Sequence, residues 1–134
     1  MQIYANGLTI EVDVQGPPEG EPVLLVMGLG MQLVAWPDEL VADLVARGFR
    51  VVRFDNRDVG LSAGFDDRGM PRMVSAMLRY TLHLPVHAPY QVQDMAADAV
   101  GVLDALGIAA AHVCGASMGG MIAQHLGARH PTRV

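Results

Sequence analysis

Val113-Cys114-Gly115-Ala116-Ser117-Met118-Gly119-Gly120 is the stretch whose reading decides the fold of this chain. The strand-like run Ala111-His112-Val113-Cys114 leads into it, and helix formers follow from Met118 to His130, where Pro131 stops them. A serine at the apex of a strand-to-helix turn is held in a strained backbone conformation, so only small neighbours fit beside it. Gly115 and Gly119 supply that room two positions either side of Ser117, and Gly120 is expected to let the new helix lie close to the strand. Such a turn lifts the hydroxyl out of the top of a sheet and aims the first N–H groups of the helix at negative charge forming there. G-x-S-x-G alone arises by chance in a chain with 15 glycines. The flanking strand and helix separate a nucleophile elbow from a tight turn with an incidental serine, and they predict Ser117 as a nucleophile.

Upstream of this turn the chain alternates strands and helices. Met1–Tyr4 and Leu8–Val14 flank Asn6-Gly7, a strong hairpin signal. In the second run Leu8, Ile10, Val12 and Val14 alternate with Thr9, Glu11 and Asp13, which predicts one buried and one wet face. Pro22-Val23-Leu24-Leu25-Val26-Met27 is continuously apolar, as suits a parallel strand covered on both sides. It ends in Gly28-Leu29-Gly30. A helix over Pro37–Ala46 carries Leu40, Val41, Leu44 and Val45 as its apolar stripe and stops at Gly48. Arg50–Phe54 is the next strand, followed by the polar loop Asp55-Asn56-Arg57-Asp58-Val59-Gly60. Met70, Met73, Met77 and Leu78 recur at helical spacing, a stripe that reads as core or cleft lining, before Pro85 and Pro89 break the pattern. Gln91–Leu106 is an amphipathic helix with Met95, Ala99, Val102, Leu103 and Leu106 on one side and Gly107 at its end. A hairpin followed by strand–helix units predicts an α/β fold: a mostly parallel sheet with an N-terminal antiparallel hairpin and helices on both faces.

Composition narrows the function classes. At 134 residues the chain makes a single domain, 1–134, and with 51% hydrophobic and 17% charged residues it is not disordered. A net charge of −5 without a Lys/Arg cluster argues against nucleic acid as a partner. Cys114 is the single cysteine, which rules out an internal disulfide and suits a reducing compartment. It reads as a small core residue rather than a nucleophile, because the glycine spacing centres on Ser117. Met1-Gln2-Ile3-Tyr4 has no basic n-region, and no stretch approaches a membrane span, so no signal peptide, no membrane partner and a cytoplasmic location are expected.

Three segments together resemble the α/β-hydrolase fold, especially its esterase, methylesterase and proline-iminopeptidase-like members. They are Val26-Met27-Gly28-Leu29-Gly30, Phe54-Asp55-Asn56-Arg57-Asp58-Val59-Gly60-Leu61-Ser62 and Gly115-Ala116-Ser117-Met118-Gly119-Gly120-Met121, in the family's order and at its approximate separations. The resemblance covers essentially the whole chain. It implies that Gly28 opens the turn where many members carry His-Gly, with Met27 in place of that histidine. It also implies an oxyanion hole formed by the N–H groups of Leu29 and Met118. One such donor typically contributes roughly 2.7–4 kcal/mol of transition-state stabilisation.

In this fold the triad runs Ser, then Asp or Glu, then His along the chain. The chain stops at Val134, after the elbow helix, so the resemblance implies the N-terminal half of such an enzyme, a truncated domain without the segments that carry the family's acid and histidine. A serine hydroxyl is a poor nucleophile without a base. Of the five histidines, His112 precedes the elbow strand and lies at the far end of the sheet. His125 is about 12 Å down the elbow helix at 1.5 Å per residue, and His130 is farther. His83 and His87 follow a strand's C-terminal end and are the candidate bases in cis, with Asp58, Asp66 or Asp67 to orient one of them. A solvated-loop role for each, and a base from a second copy, are the alternatives.

Other chemistries fit less well, and no cofactor is expected. The third glycine of a dinucleotide fingerprint starting at Gly28 would fall at Leu33, and there is no phosphate-loop Gly-Lys-Ser/Thr. His83-x-x-x-His87 has ligand spacing, but Pro85 between them argues against a helical metal pair, so no metal site is expected. Two readings follow. The first is a serine-dependent hydrolase of small carboxylic esters; the second is a non-catalytic half-domain that binds a ligand or partner through the same cradle. Both carry an assembly expectation. The elbow strand should lie beside Val23–Met27 with its other edge unpaired, favouring a homodimer or higher even oligomer through that edge.

Overall fold

The computed structural model describes residues 1–64, 73–86 and 88–134. The chain runs β1 (Gln2–Ala5), β2 (Leu8–Gln15), β3 (Pro22–Val26), α1 (Asp38–Ala46), β4 (Arg50–Phe54), α2 (Met73–Thr81), α3 (Val92–Ala105), β5 (His112–Gly115) and α4 (Met118–Arg129), with single 3-10 turns at Leu33–Ala35 and Pro131–Arg133. The strands form one sheet in the order β1-β2-β4-β3-β5. β1–β2 and β2–β4 are antiparallel, and β4, β3 and β5 are parallel. Asn6 and Gly7, with φ of 49° and 79°, both adopt the left-handed conformation that the tight turn between β1 and β2 requires.

Alternation along β3 and β4 sends side chains to two cores. Leu24, Val26, Val52 and Phe54 face one side, where they pack with Met95, Ala99, Val102 and Leu103 of α3 and Ile122 and Leu126 of α4. Val23, Leu25, Met27 and Val51 face the other, against Val41 of α1 and Trp36, which precedes that helix. Both faces of β3 and β4 are therefore covered, which is why their sequences do not alternate in polarity. In α1 the burial falls chiefly on Val41, while Leu40 turns outward.

Register decides where the loops meet. Val26 pairs with Phe54 on one side and with Gly115 on the other. The three parallel strands thus end together, and the segments after them, Met27–Leu29, Asp55–Arg57 and Ala116–Ser117, emerge on one rim.

Three expectations need correction. Cys114 is exposed rather than part of the core, because β5 ends the sheet and has only β3 as a neighbour among the described residues. Met77 and Leu78 are 72% and 60% exposed, so this part of the methionine stripe is not core. Helical spacing puts residues on one face but does not supply an element to cover it. Met70 lies outside the described residues. Finally, close approach of α4 to the strands rests on Gly119, not Gly120. A methyl group at Gly119 would run into the Val26 carbonyl, whereas one at Gly120 would meet the Gly115 oxygen at an ordinary 3.5 Å.

Candidate active site

Ser117 occupies the junction between β5 and α4 with φ 55° and ψ −119°. An L-residue held there costs about 1–3 kcal/mol, strain that persists only when the surroundings over-determine it. They do so here. The Ala116 N–H donates to the Val26 carbonyl at 3.0 Å, and the Gly119 and Gly120 N–H groups donate to the Ala116 and Ser117 carbonyls at 2.8 and 2.9 Å. Gly115 packs against the backbone of Gly119 so closely that a side chain there would overlap it. The side chain of Ser117 is left exposed at the rim.

Gly28 closes the other side. A Cβ built on it would sit 3.2 Å from the Ser117 Cβ and 3.6 Å from its Oγ. The loop Gly28–Leu29 therefore passes directly beside the hydroxyl. Among the described residues, the N–H groups of Leu29 and Met118 donate to no protein acceptor. Two backbone donors at this rim with no protein acceptor can hold an oxyanion or another anionic oxygen.

The loop after β4 holds this arrangement in place, a role its reading as a merely polar loop missed. Asp55 is buried and accepts from the Leu33 N–H at 2.6 Å and the Leu61 N–H at 3.1 Å. The Asn56 Nδ2 donates to the Met27 carbonyl at 2.9 Å. Both ends of the 28–32 loop are thus tied to consecutive residues of the β4 loop. Ser62 donates to the Asp55 carbonyl and receives the Glu11 N–H, closing the loop onto β2. Arg57 turns inward, with Nε and Nη2 each 2.6 Å from the two carboxylate oxygens of Asp98 on α3. Burial works against the Arg57 charge, but Asp98 outweighs it and holds the guanidinium pKa above its ordinary value. The sequence signal was an acid, an amide and a base directly after a buried strand, where solvated residues alone would be unremarkable.

The comparisons with known proteins bear on this geometry. A family model described as alpha/beta hydrolase fold matches residues 21–134. The chain belongs to the α/β-hydrolase fold family. Rhodomycin D methylesterase DnrP of Streptomyces peucetius is 39% identical over 132 residues, which are 98% of this chain and 38% of that protein. Rhodomycin D methylesterase DauP of Streptomyces sp. (strain C5) is 38% identical over the same shares. The crystal structure of the enol-lactonase from Burkholderia xenovorans LB400 superposes with a TM-score of 0.76 at 29% identity, covering all of this chain and 44% of that one. The chain thus spans about two-fifths of these α/β-hydrolase relatives.

His112, at the start of β5 opposite Val23, lies at the other end of the strand and pairs with Glu21 at 2.8 Å. His125 sits midway along α4 and His130 beyond its end. His83 follows α2 in a left-handed conformation, φ 54°, with its N–H on the Tyr80 carbonyl. His87, Asp66 and Asp67 lie outside the described residues. No histidine is hydrogen-bonded to Ser117 among the described residues. Nor do the described residues group three metal-ligating side chains, and no helix among them is long and apolar enough to cross a membrane.

Proposed function

We propose that this chain carries the nucleophile and oxyanion site of a serine-dependent hydrolase acting on small carboxylic esters. The supporting observation is the strained, exposed Ser117 with the Gly28–Leu29 loop against it. In this reading the Ser117 Oγ attacks the ester carbonyl as its proton passes to a base. The Leu29 and Met118 N–H groups hold the developing oxyanion. Collapse expels the alcohol and leaves an acyl-serine, which water hydrolyses to free acid and serine. The methylesterase relatives support a carboxylic methyl ester as the class of substrate. For the base we propose His83 or His87 in cis, or a histidine delivered by a second copy paired along the open edge of β5. Hydrolysis of short-chain esters by the wild type and by Ser117→Ala tests the proposal, and equal rates remove Ser117 from the mechanism. Light scattering after size exclusion tests the pairing, which a monomer at micromolar concentration excludes.

One observation favours a second reading: no described histidine reaches Ser117. A non-catalytic half-domain would keep the cradle as a binding site. A serine-reactive fluorophosphonate decides between the two, since stoichiometric labelling at Ser117 requires an activated hydroxyl.

A further inference from the structure

A cavity of about 110 Å³ starts one residue from Ser117 on two sides: Met118 follows the serine, and Leu29 follows the Gly28 that lies against it. Leu29, Val59, Met95 and Met118 are its apolar lining. Exposure gives it a direction. Leu29 is 79% exposed and stands at the mouth, whereas Met95 on α3 is 4% exposed and belongs to the core, so Met95 closes the inner end. The volume is well below the roughly 300–1,000 Å³ of pockets for drug-sized ligands. At roughly 30 Å³ for each water-sized group it holds about three or four of them.

The polar side of the cavity consists of groups already engaged with one another. Arg57 pairs with Asp98 at 2.6 Å and stands over the Tyr90 ring, 5.1 Å from its centre, and Tyr90 is hydrogen-bonded to Asp58. None of them is free, so selection here is by shape. Met95 is held to its place from two directions. Asp94, the residue before it, fixes the start of α3 by accepting the Gln91 N–H at 2.7 Å. Behind it lies the core cluster of Ala99, Val102 and Ile122, so its thioether cannot retreat without disturbing close-packed neighbours.

We propose that Met95 is a specificity-determining residue that sets the acyl length of the substrate: the acyl chain lies between Leu29 and Met118 and stops against the Met95 side chain. With the carbonyl carbon at the oxyanion donors, three or four further carbons fill the cavity. The preferred substrates are then methyl esters of unbranched acids of up to about five carbons. A methyl ester has a one-carbon alcohol part, which leaves the acyl chain as the part long enough to reach Met95. This rests on the ester-hydrolase reading and goes beyond it in naming the acyl length and the residue that limits it.

The test compares methyl butanoate with methyl heptanoate. Wild type should favour the butanoate by about tenfold or more in kcat/KM, since a methylene that does not fit a hydrophobic pocket is worth roughly 10–200-fold. Met95→Ala should bring that ratio close to one, and Met95→Leu, of similar volume, should retain it. Met95→Val removes less of the core and should lower the ratio part of the way, so the proposal stays testable where the alanine variant does not fold. A wild type that takes both esters equally, or a ratio unchanged in the folded smaller variants, overturns the assignment. NMR titration with butanamide and heptanamide, read at the Met95 methyl signal, separates this from the hydrolysis reading. A stronger response to butanamide without any ester turnover supports the cavity and defeats the hydrolase. Ester turnover with no Met95-dependent length preference does the reverse. A chain without turnover whose Met95 signal responds no better to butanamide than to heptanamide, or to neither, overturns the cavity.

Discussion

Gly28 lies against Ser117 so closely that a methyl group on it would be 3.2 Å from the serine Cβ and from the Ala116 carbonyl oxygen. Accommodating that methyl requires the loop to move by a few tenths of an ångström. The fold tolerates such a shift, whereas the proposed oxyanion donor on the adjacent Leu29 would not, because its contribution depends on alignment with the reacting carbonyl. If the chain hydrolyses esters as proposed, Gly28→Ala should reduce kcat/KM for a short ester by about tenfold with little change in melting temperature. An ester assay paired with a thermal melt checks both halves of the statement.

Gly119 and Gly120 are neighbours with opposite expected behaviour. A Cβ at Gly119 meets the Val26 carbonyl inside the packed junction of strand and helix, so Gly119→Ala should cost about 3 kcal/mol through overpacking. At Gly120 there is room, and replacing a helical glycine by alanine should add about 0.5 kcal/mol. Urea unfolding of the two variants measures the contrast.

Arg57 and Asp98 form a buried pair, their side chains 7% and 1% exposed, to which Asn6 adds a hydrogen bond at 2.8 Å. Removing one partner strands a buried charge. Asp98→Ala should therefore cost about 3–5 kcal/mol, whereas Arg57→Met combined with Asp98→Leu should cost much less than the two single losses together. A double-mutant cycle in denaturant reads the coupling directly.

Tyr90 gives a pH signature. Burial, followed by the hydrogen bond to Asp58, pushes its pKa from 10.0 up to about 12. Folding thus favours the neutral phenol. The stability this confers is intact below pH 10 and is lost as pH rises through about 12, because the unfolded chain ionises first. Wild type should lose stability relative to Tyr90→Phe over that window. Phenolate absorbance during an alkaline titration should show a late component that the variant lacks.

The order of strands and helices was legible because each signal is local. Asn6-Gly7 makes a turn through its own backbone preferences, the Met95–Leu103 stripe has helical period, and the spacing of Gly115, Ser117 and Gly119 encodes a crowded junction within five residues. The continuous apolar run at 22–27 likewise declared a strand covered on both faces.

Partnership over long separations was not legible. Arg57 meets Asp98 across 41 residues, and Asp55 holds Leu33 across 22, but nothing in either local sequence names the other. The same limit applies to Cys114 and Met77. An apolar residue on a strand or helix is buried only if some other element covers it, and coverage belongs to the assembled sheet rather than to the pattern. Short-range sterics and period therefore determined the elements and placed Ser117 at a strained turn. Register among β3, β4 and β5 brought Gly28, Asp58 and Ser117 to the same rim, because only pairing between strands decides which loops end side by side.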